Sequence, residues 1–302
     1  MIRKINHSHI YTQFYFTPKL KELFIMTTNM FINTDQRIVK NLLKSKVKMS
    51  DFGHLLKVKA GKYGKVYKAE YKKTNKIYAL KMVPIKYKDI IEQGFTVSSI
   101  LNHENIMKTY GYFIHAAENG KDYIVSVLEY VNGVNLMTYY TDNNNRTINQ
   151  NLPTIILQIL DGLKYLCENE IVHRDLKLEN IVITRDCKVK IVDNDFAITN
   201  DKIVPNDVCG TLYYIPPEVF KNKGYNTQFD MWSLGIIIYY LLTGQYPFDG
   251  DDRQDLEDAI LNTNAYIDDL PILYQRLLRG LFQRNPELRL TPEIAIDLVK
   301  KF

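Results

Sequence analysis

The spacing of apolar residues changes along the chain and separates a region of predicted strands from a region with predicted helices. After residue 51, apolar and polar residues alternate or form short apolar runs, which is typical of strands. The segments of this kind are residues 56–59, 65–69, 77–83, 123–131, 181–183 and 189–192. Apolar residues at intervals of three and four predict a helix over 153–166, and a continuous apolar run predicts a buried core helix over 235–242.

The composition and the cysteine pattern indicate in which cellular compartment the protein is expected. The 302 residues are 46% hydrophobic and 24% charged, as in ordinary soluble globular proteins. Cys167, Cys187 and Cys209 form no CxxC pair, which predicts neither a disulfide framework nor a zinc site and fits a reducing compartment. The longest apolar run is far shorter than the about 20 residues that span a bilayer, and the N-terminus has no signal-peptide pattern. We therefore expect a cytoplasmic or nuclear protein with no transmembrane segment.

Positive charge is concentrated in residues 1–50, which we interpret as a basic N-terminal extension. This segment has nine Lys and Arg against two acids, or +7, and the rest of the chain has 30 basic against 32 acidic residues, or −2. A nucleic-acid-binding domain carries its basic residues throughout, so we expect no nucleic-acid partner. Apolar residues within 38–43 would line one face of a helix. That helix would bind a membrane surface or a partner; in the favoured interpretation the extension packs on the neighbouring domain or is partly disordered.

Residues 173–180 read His-Arg-Asp-Leu-Lys-Leu-Glu-Asn and directly follow two apolar residues. Asp175 can accept the proton of a substrate hydroxyl, Lys177 can neutralise a migrating phosphoryl group, and Asn180 can offer a neutral oxygen to a metal ion. A polar loop would tolerate these residue types in any order. The ordered set resembles the catalytic loop of the eukaryotic protein kinases. The resemblance implies that Asp175 and Lys177 are catalytic and that Asn180 is a metal ligand.

A second part of the resemblance lies in residues 59–66, Lys-Ala-Gly-Lys-Tyr-Gly-Lys-Val. They are similar to the glycine-rich loop that covers the ATP phosphates, with Lys59 in place of the first glycine. Lys81 follows 15 residues after Val66 and matches the lysine that pairs with the α- and β-phosphates. The end of the strand over 123–131 matches the hinge that binds adenine. The nucleotide-binding residues that the resemblance implies are Val58, Gly61, Gly64, Val66, Ala79, Lys81, Glu129 and Val131.

The partner of Lys81 is the main departure from the kinase pattern. In kinases a helix after this strand supplies a glutamate that orients the lysine. Counted from Leu-Asn-His-Glu-Asn-Ile at 101–106, that glutamate falls near position 94, which is Gly94. The nearest acid is Glu92, and two residues correspond to about 200° around a helix. Two alternatives stay open: the helix register shifts so that Glu92 serves, or Lys81 lacks its usual partner.

The kinase Asp-Phe-Gly motif, whose aspartate binds Mg²⁺, is replaced by Asp-Asn-Asp-Phe-Ala at 193–197. We assign the metal to Asp193, because the strand before it and Ala197 after it match the pattern; Asn194 and Asp195 then replace Phe and Gly. In an alternative register, Asp195, Phe196 and Ala197 form the motif. Loss of the phenylalanine removes an apolar plug whose packing helps to distinguish active from inactive states.

Residues 209–218, Cys-Gly-Thr-Leu-Tyr-Tyr-Ile-Pro-Pro-Glu, resemble the kinase segment that docks a protein substrate. Thr211 together with Lys177 favours Ser and Thr over Tyr as acceptors. Asp207 stands where kinases of this type often carry a phosphorylated threonine. We hypothesise that its carboxylate partly substitutes for the phosphate that would face Arg174.

Two further motifs imply structural contacts in the second half of the chain. Asp230, in Asp-Met-Trp-Ser-Leu-Gly, is expected to brace the backbone of the catalytic loop. Arg289, in Arg-Asn-Pro-Glu-Leu-Arg, is expected to pair with Glu218. The matching motifs therefore run in one order over residues 51–302.

The resemblance implies an α+β protein-kinase fold of two lobes, a small β-rich lobe over 51–131 and a larger, mainly helical lobe over 132–302. The implied function is that of a serine/threonine protein kinase, which uses ATP and Mg²⁺ to phosphorylate protein substrates. The residues of the catalytic-loop motif and of Cys-Gly-Thr are most similar to those of the calmodulin-dependent or AMP-activated kinase-like groups. A pseudokinase, acting as a scaffold or allosteric regulator, would explain Lys59, Gly94 and Asn194 together. A small-molecule kinase of related fold is a second rival, and the oligomeric state is not predicted.

Overall fold

The computed structural model describes residues 47–61, 63–118, 120–143, 145–200, 210–221 and 224–301. The amphipathic segment over 38–43 and Asp207 lie outside these residues. The strands of the described part are β1 (Phe52–Ala60), β2 (Lys65–Tyr71), β3 (Lys76–Pro84), β4 (Thr109–Ala116), β5 (Asp122–Glu129), β6 (Gly133–Asn135), β7 (Ile171–Val172), β8 (Ile181–Thr184), β9 (Val189–Ile191) and β10 (Ile198–Thr199). Its α-helices are α1 (Lys88–Ser98), α2 (Leu136–Asp142), α3 (Asn145–Glu168), α4 (Pro217–Phe220), α5 (Gln228–Thr243), α6 (Arg253–Asn262), α7 (Ile272–Leu281) and α8 (Pro292–Lys300).

The first five strands form one antiparallel sheet in the order β1-β2-β3-β5-β4. Its alternating side chains place aromatic residues on one face, where Phe52, Tyr71 and Tyr78 pack around the buried Leu80. β3 ends at Pro84, whose missing N–H cannot extend the ladder, and α1 follows after one turn of 3₁₀ helix.

The second half of the described chain is mainly helical and is built around α5, which is apolar on all sides. Trp232 of this helix is fully buried and stacks on Phe248, with ring centroids 5.4 Å apart. α5 ends at Gly244, whose φ of 75° provides the left-handed backbone that terminates many helices. A helix that is buried all round must be packed by neighbours, and α3 and α7 provide that packing.

Two small sheets lie between these parts and carry the predicted chemistry. β8 and β9 form a hairpin beside β6, and β7 pairs with β10. The backbone N–H of Met107 donates to the carbonyl of Ile191, and the N–H of Ile191 donates to the carbonyl of Asn105, both at 2.8 Å. The segment that connects α1 to β4 is therefore hydrogen-bonded to β9, which ties the large sheet to the helical part.

The α+β fold class expected from the sequence is confirmed, and the bounds of several elements differ from those predicted. The helix predicted to begin at Pro153 begins at Asn145, because the apolar face continues through the buried Ile148 and Leu152. Proline is frequent at the first turn of helices, but here it lies inside one and removes a single backbone donor. The strand predicted over 123–131 ends at Glu129. In the described part of the chain, no helix is both long and apolar enough to cross a bilayer.

Candidate active site

The loop over 173–180 leaves β7 and is anchored by a carboxylate from α5. Asp230 accepts the backbone N–H groups of His173 at 2.7 Å and Arg174 at 3.1 Å. Arg174 adopts a left-handed backbone with φ of 67°, a conformation that costs energy for a residue with a side chain. The brace expected from Asp230 is confirmed, and it holds this strained turn in place.

The carboxylate of Asp175 lies at the centre of a small polar network. Lys177 donates to both of its oxygens at 3.0 and 2.8 Å, and the amide nitrogen of Asn180 donates to Oδ2 at 2.9 Å. The hydroxyl of Thr211 donates to Oδ1 at 3.0 Å and accepts from Lys177 at 2.8 Å. Asp175 is therefore fixed in orientation, charge-paired, and already accepts a hydrogen bond from an alcohol, which is what a general base for a hydroxyl requires.

A second cluster of charges lies around Lys81 of β3. Its ammonium is 2.5 Å from Oδ1 of Asp193 and 2.6 Å from Oδ2 of Asp195. The side chains of Lys81 and Asp195 are 12% and 17% exposed, whereas that of Asp193 is 30% exposed. Asp193 is thus the member of the cluster with the most surface left for a ligand.

The three charges shift one another's pKa values. Burial lowers the pKa of Lys81, but the charges of Asp195 and Asp193 outweigh burial and hold that pKa above its ordinary value. Burial also opposes ionisation of Asp193, yet Lys81 overcomes it and keeps the pKa of Asp193 below its usual range, with smaller contributions from His173 and Lys59. Burial and the neighbouring charge of Asp193 raise the pKa of Asp195 despite the contact with Lys81.

The segment over 193–197 is tied to the catalytic loop. Asp193 has a left-handed backbone with φ of 68°. A ring nitrogen of His173 lies 3.2 Å from the carbonyl of Val192, and Nε of Arg174 donates to the carbonyl of Phe196 at 2.7 Å. Two strained residues, Arg174 and Asp193, therefore lie in adjoining turns, and strain of this kind clusters at functional sites.

Of the two open alternatives, the second is found: Glu92 does not serve Lys81, and the lysine lacks its usual partner from α1. Oε1 of Glu92 accepts a hydrogen bond from the hydroxyl of Tyr112 at 2.8 Å and lies 3.5 Å from Nζ of Lys88. Gly94 faces the segment over 193–197 instead: a Cβ at this position would lie 2.2 Å from the backbone oxygen of Asp195. Lys81 thus has a second carboxylate after all, and the sequence pattern did not indicate it because Asp195 stands where the family carries glycine.

Apolar residues assigned to nucleotide binding meet between β2, β3 and the end of β5. Ala79 and Leu128 are buried against Met107, and Val66 and Val131 pack on this group. Val66, Ala79 and Leu128 lie on three different strands, and the antiparallel register brings Ala79 directly opposite Leu128. Val58 lies outside the group, with 55% of its surface exposed on β1.

The two glycines of the loop after β1 have different surroundings. A Cβ on Gly61 would meet nothing within 4 Å, so this backbone borders open space. A Cβ on Gly64 would lie 2.2 Å from the carbonyl oxygen of Met82, so Gly64 is required by packing on β3. Gly64 therefore has a packing role as well, and the approach of both glycines to phosphates stays a prediction. Lys59 is exposed beside this loop and contributes to the low pKa of Asp193.

Two polar residues near the hinge have side chains that the protein itself engages. Glu129 pairs with Lys190 at 2.9 Å and accepts the backbone N–H of Lys108 at 3.0 Å. Asn135 caps α2, where its oxygen accepts the N–H of Thr138 at 2.9 Å. A contact from Glu129 to a nucleotide would therefore have to come from its backbone.

Asn194 occupies the place of the missing phenylalanine and is 3% exposed. Its amide nitrogen donates to the carbonyl of Met107 at 3.3 Å, and its oxygen has no hydrogen-bond partner among the described residues. Ile91 and Phe95 of α1 line the same small cavity. The apolar plug of the family is thus replaced by a buried amide with one unsatisfied oxygen, which is costly in an apolar environment.

Asn180 and Asp193 offer the donors that a magnesium ion prefers. Mg²⁺ takes hard oxygen ligands and is commonly held by one or two carboxylates together with substrate phosphates. The nitrogen of Asn180 donates to the carbonyl and carboxylate of Asp175, which leaves the amide oxygen as an acceptor on the other side. The amide oxygen of Asn180 and the partly exposed carboxylate of Asp193 are ligand types that fit Mg²⁺, and the cationic Lys81 fits a phosphate.

The segment after residue 209 is fastened to the helical part by a buried ion pair. Arg289 donates to both oxygens of Glu218 at 2.8 Å, and the two side chains are 0% and 3% exposed. Arg289 also donates to the carbonyls of Gln228 and Gln283 and lies over the ring of Trp232. The pairing expected from the sequence is confirmed, and it fixes the end of the segment that carries Thr211.

Comparison with known proteins gives a consistent result. Residues 52–298 match the protein kinase domain family. Aurora kinase of Encephalitozoon cuniculi (strain GB-M1) is 31% identical over 195 residues, which are 63% of this chain and 70% of that protein. Aurora kinase of Dictyostelium discoideum is 30% identical over 208 residues, 68% of this chain and 53% of the relative. Human NUAK family SNF1-like kinase 1 is 33% identical over 208 residues, 67% of this chain and 30% of the relative.

Proposed function

Because this chain belongs to the eukaryotic serine/threonine protein kinase family, we propose that its site transfers the γ-phosphoryl group of ATP to serine or threonine hydroxyls of proteins. The proposal is carried by the hydrogen bonds of the Asp175 carboxylate. Lys177 and Asn180 donate to it and fix its orientation, and it also accepts a hydrogen bond from the hydroxyl of Thr211. A substrate hydroxyl at the same carboxylate would lose its proton to Asp175 as it attacks. Lys177 would stabilise the charge on the phosphoryl group in transit.

ATP and Mg²⁺ are the cofactors that family membership implies. Asp193 and Asn180 would hold the metal ion, which when bound neutralises charge on the phosphates. Lys81 would bind phosphate oxygens, and Gly61 would admit them to the loop. The apolar group of Val66, Ala79 and Val131 would receive the adenine. The left-handed backbone and the greater exposure of Asp193 support its role as metal ligand over Asp195.

A protein acceptor is supported by the segment that ends at Glu218. Thr211 joins Lys177 to Asp175, so this segment contributes directly to the catalytic network. The relatives compared with this chain are named as kinases, and none of these comparisons favours a pseudokinase. The calmodulin-dependent or AMP-activated kinase-like subgroup and an intracellular location stay predictions.

The proposal is tested by phosphate transfer from labelled ATP to a generic protein substrate in the presence of Mg²⁺. Asp175→Asn removes the base but keeps the shape, and we expect the rate to fall by about 10²- to 10⁴-fold. Asp186→Asn is the matched control, because Asp186 lies in the exposed turn between β8 and β9. If wild type and Asp175→Asn gave the same background, the proposed activity would be wrong.

A further inference from the structure

α1 does not provide a carboxylate to Lys81. In the family, a glutamate from this helix pairs with the lysine and keeps it directed at the phosphates. Here Gly94 stands near that place, and Glu92 is bonded to the hydroxyl of Tyr112 at 2.8 Å. The position that would normally carry the orienting charge has no side chain.

Asp195 supplies a carboxylate to Lys81. Its Oδ2 lies 2.6 Å from the ammonium, and both side chains are largely buried, with exposures of 17% and 12%. An ion pair shielded from water is stronger than an exposed one, since the surroundings screen it less. The contact therefore meets the geometric requirement for holding Lys81 in one orientation.

The two departures from the family pattern are sterically linked. A Cβ at position 94 would lie 2.2 Å from the backbone oxygen of Asp195 and 2.6 Å from its carbonyl carbon. The 3₁₀ turn Asn194–Phe196 can approach α1 this closely because Gly94 has no side chain. Loss of the glutamate and gain of an aspartate thus belong to one arrangement.

We propose that Asp195 is the positioning residue for Lys81, replacing from the metal-binding segment the carboxylate that kinases normally take from the helix. The site then has the same charged groups as in the kinase family: one ammonium, one carboxylate for the metal and one carboxylate for the lysine. Both carboxylates now come from a single segment of chain. The inference rests on the proposed function, because Lys81 acts there on the phosphates of ATP.

The first test measures the contact without nucleotide. The denaturation midpoints of Lys81→Met, Asp195→Asn and the double variant form one double-mutant cycle, and Lys81→Met, Glu92→Gln and their double variant form another. We expect the midpoint shifts at 81 and 195 not to add, because one substitution removes the partner of the other. The shifts at 81 and 92 should add. Additive shifts in the first cycle with coupling in the second would overturn the proposal.

The second test asks whether the contact serves catalysis. We expect Asp195→Asn to lower kcat/KM for ATP by about 10- to 100-fold. Losses of this size are typical when a residue that orients a ligand-binding side chain, as in metal sites, is replaced. KM for the protein substrate should stay unchanged, Asp195→Glu should recover part of the loss, and Glu92→Gln should behave as wild type. A loss in Glu92→Gln with normal Asp195→Asn would identify Glu92 as the partner instead. If wild type itself transferred no more phosphate than Asp175→Asn, the proposed function would fail, and the nucleotide-free cycles would still decide the contact.

Discussion

Two parts of the site hold their charges by different means. Around Asp175, the partners are Lys177 and Asn180 from the same loop, with Thr211 from the following segment. Around Lys81, both carboxylates come from the short segment over 193–197, and α1 contributes only the close packing at Gly94. The first arrangement matches the family motif residue by residue, whereas the second reaches the same balance of charge with different residues.

The difference shows which properties of a site are tied to sequence position. Asp175 must meet a substrate hydroxyl at hydrogen-bonding distance, so the loop that carries it tolerates little change. The carboxylate beside Lys81 only has to be close to the ammonium, and a charge from any neighbouring segment can provide that. A positioning charge can therefore move to another element, provided that the packing between the two elements changes with it.

The largest effect is expected in the part that follows the family pattern. Glu218→Ala leaves Arg289 buried and without its carboxylate, so the free energy of unfolding should fall by about 3–5 kcal/mol. Denaturant titration measures the change. The matched control is Asp268→Ala, whose partner Arg279 forms an ion pair with side chains 59% and 69% exposed, and this variant should change stability little. Equal effects of the two substitutions would show that the helical part does not depend on the buried pair.

Much of the fold could be predicted because its signals are local. Four of the five strands of the first sheet follow from short apolar runs, and β4 does not; the buried helix α5 follows from one continuous run. The α+β class and the family can therefore be predicted from the sequence. The pairing of Glu218 with Arg289 could also be predicted, because each residue lies in its own motif. These predictions required only that the residues occupy their usual places.

The partner of Lys81 could not be predicted, because no local pattern reports a contact between β3 and the segment over 193–197. Comparison with the Asp-Phe-Gly motif aligns Asp195 with the glycine, and a glycine has no side chain whose role could be transferred to Asp195. The signal that could have found it is the simultaneous loss of an acid at 94 and gain of an acid at 195. The early start of α3 could not be predicted for a simpler reason: proline usually lies in the first turn of a helix, whereas Pro153 lies inside this one.

The face between α1 and the segment over 193–197 is sensitive to a single methyl group. Gly94→Ala places a Cβ against the backbone of Asp195, which cannot rotate away, so we expect the free energy of unfolding to fall by about 1–3 kcal/mol. The phosphate-transfer rate should fall with it, because Asp195 is pushed away from Lys81. Gly53→Ala is the control, since its nearest neighbour is the flexible end of Lys72 at 3.3 Å. Similar stability of the two variants would mean that α1 and this segment separate without cost.

The smallest effect concerns Asn194, on the same face. Its buried oxygen has no partner among the described residues, so Asn194→Leu should raise the free energy of unfolding by about 1 kcal/mol, even though the bond to Met107 is lost. Asn105→Leu is the matched control: Asn105 is 5% exposed, and its amide donates to the carbonyl of Val189 at 2.8 Å, so that substitution should destabilise.

If Asn194→Leu raised the free energy of unfolding and Asn105→Leu lowered it, the amide at 194 would be a group that destabilises the fold. If Asn194→Leu destabilised as much as Asn105→Leu, the oxygen would be satisfied in solution by an ordered water. The polar groups beside Lys81 would then all have hydrogen-bond partners, as those around Asp175 do. The two parts of the site would differ only in the residues that form them.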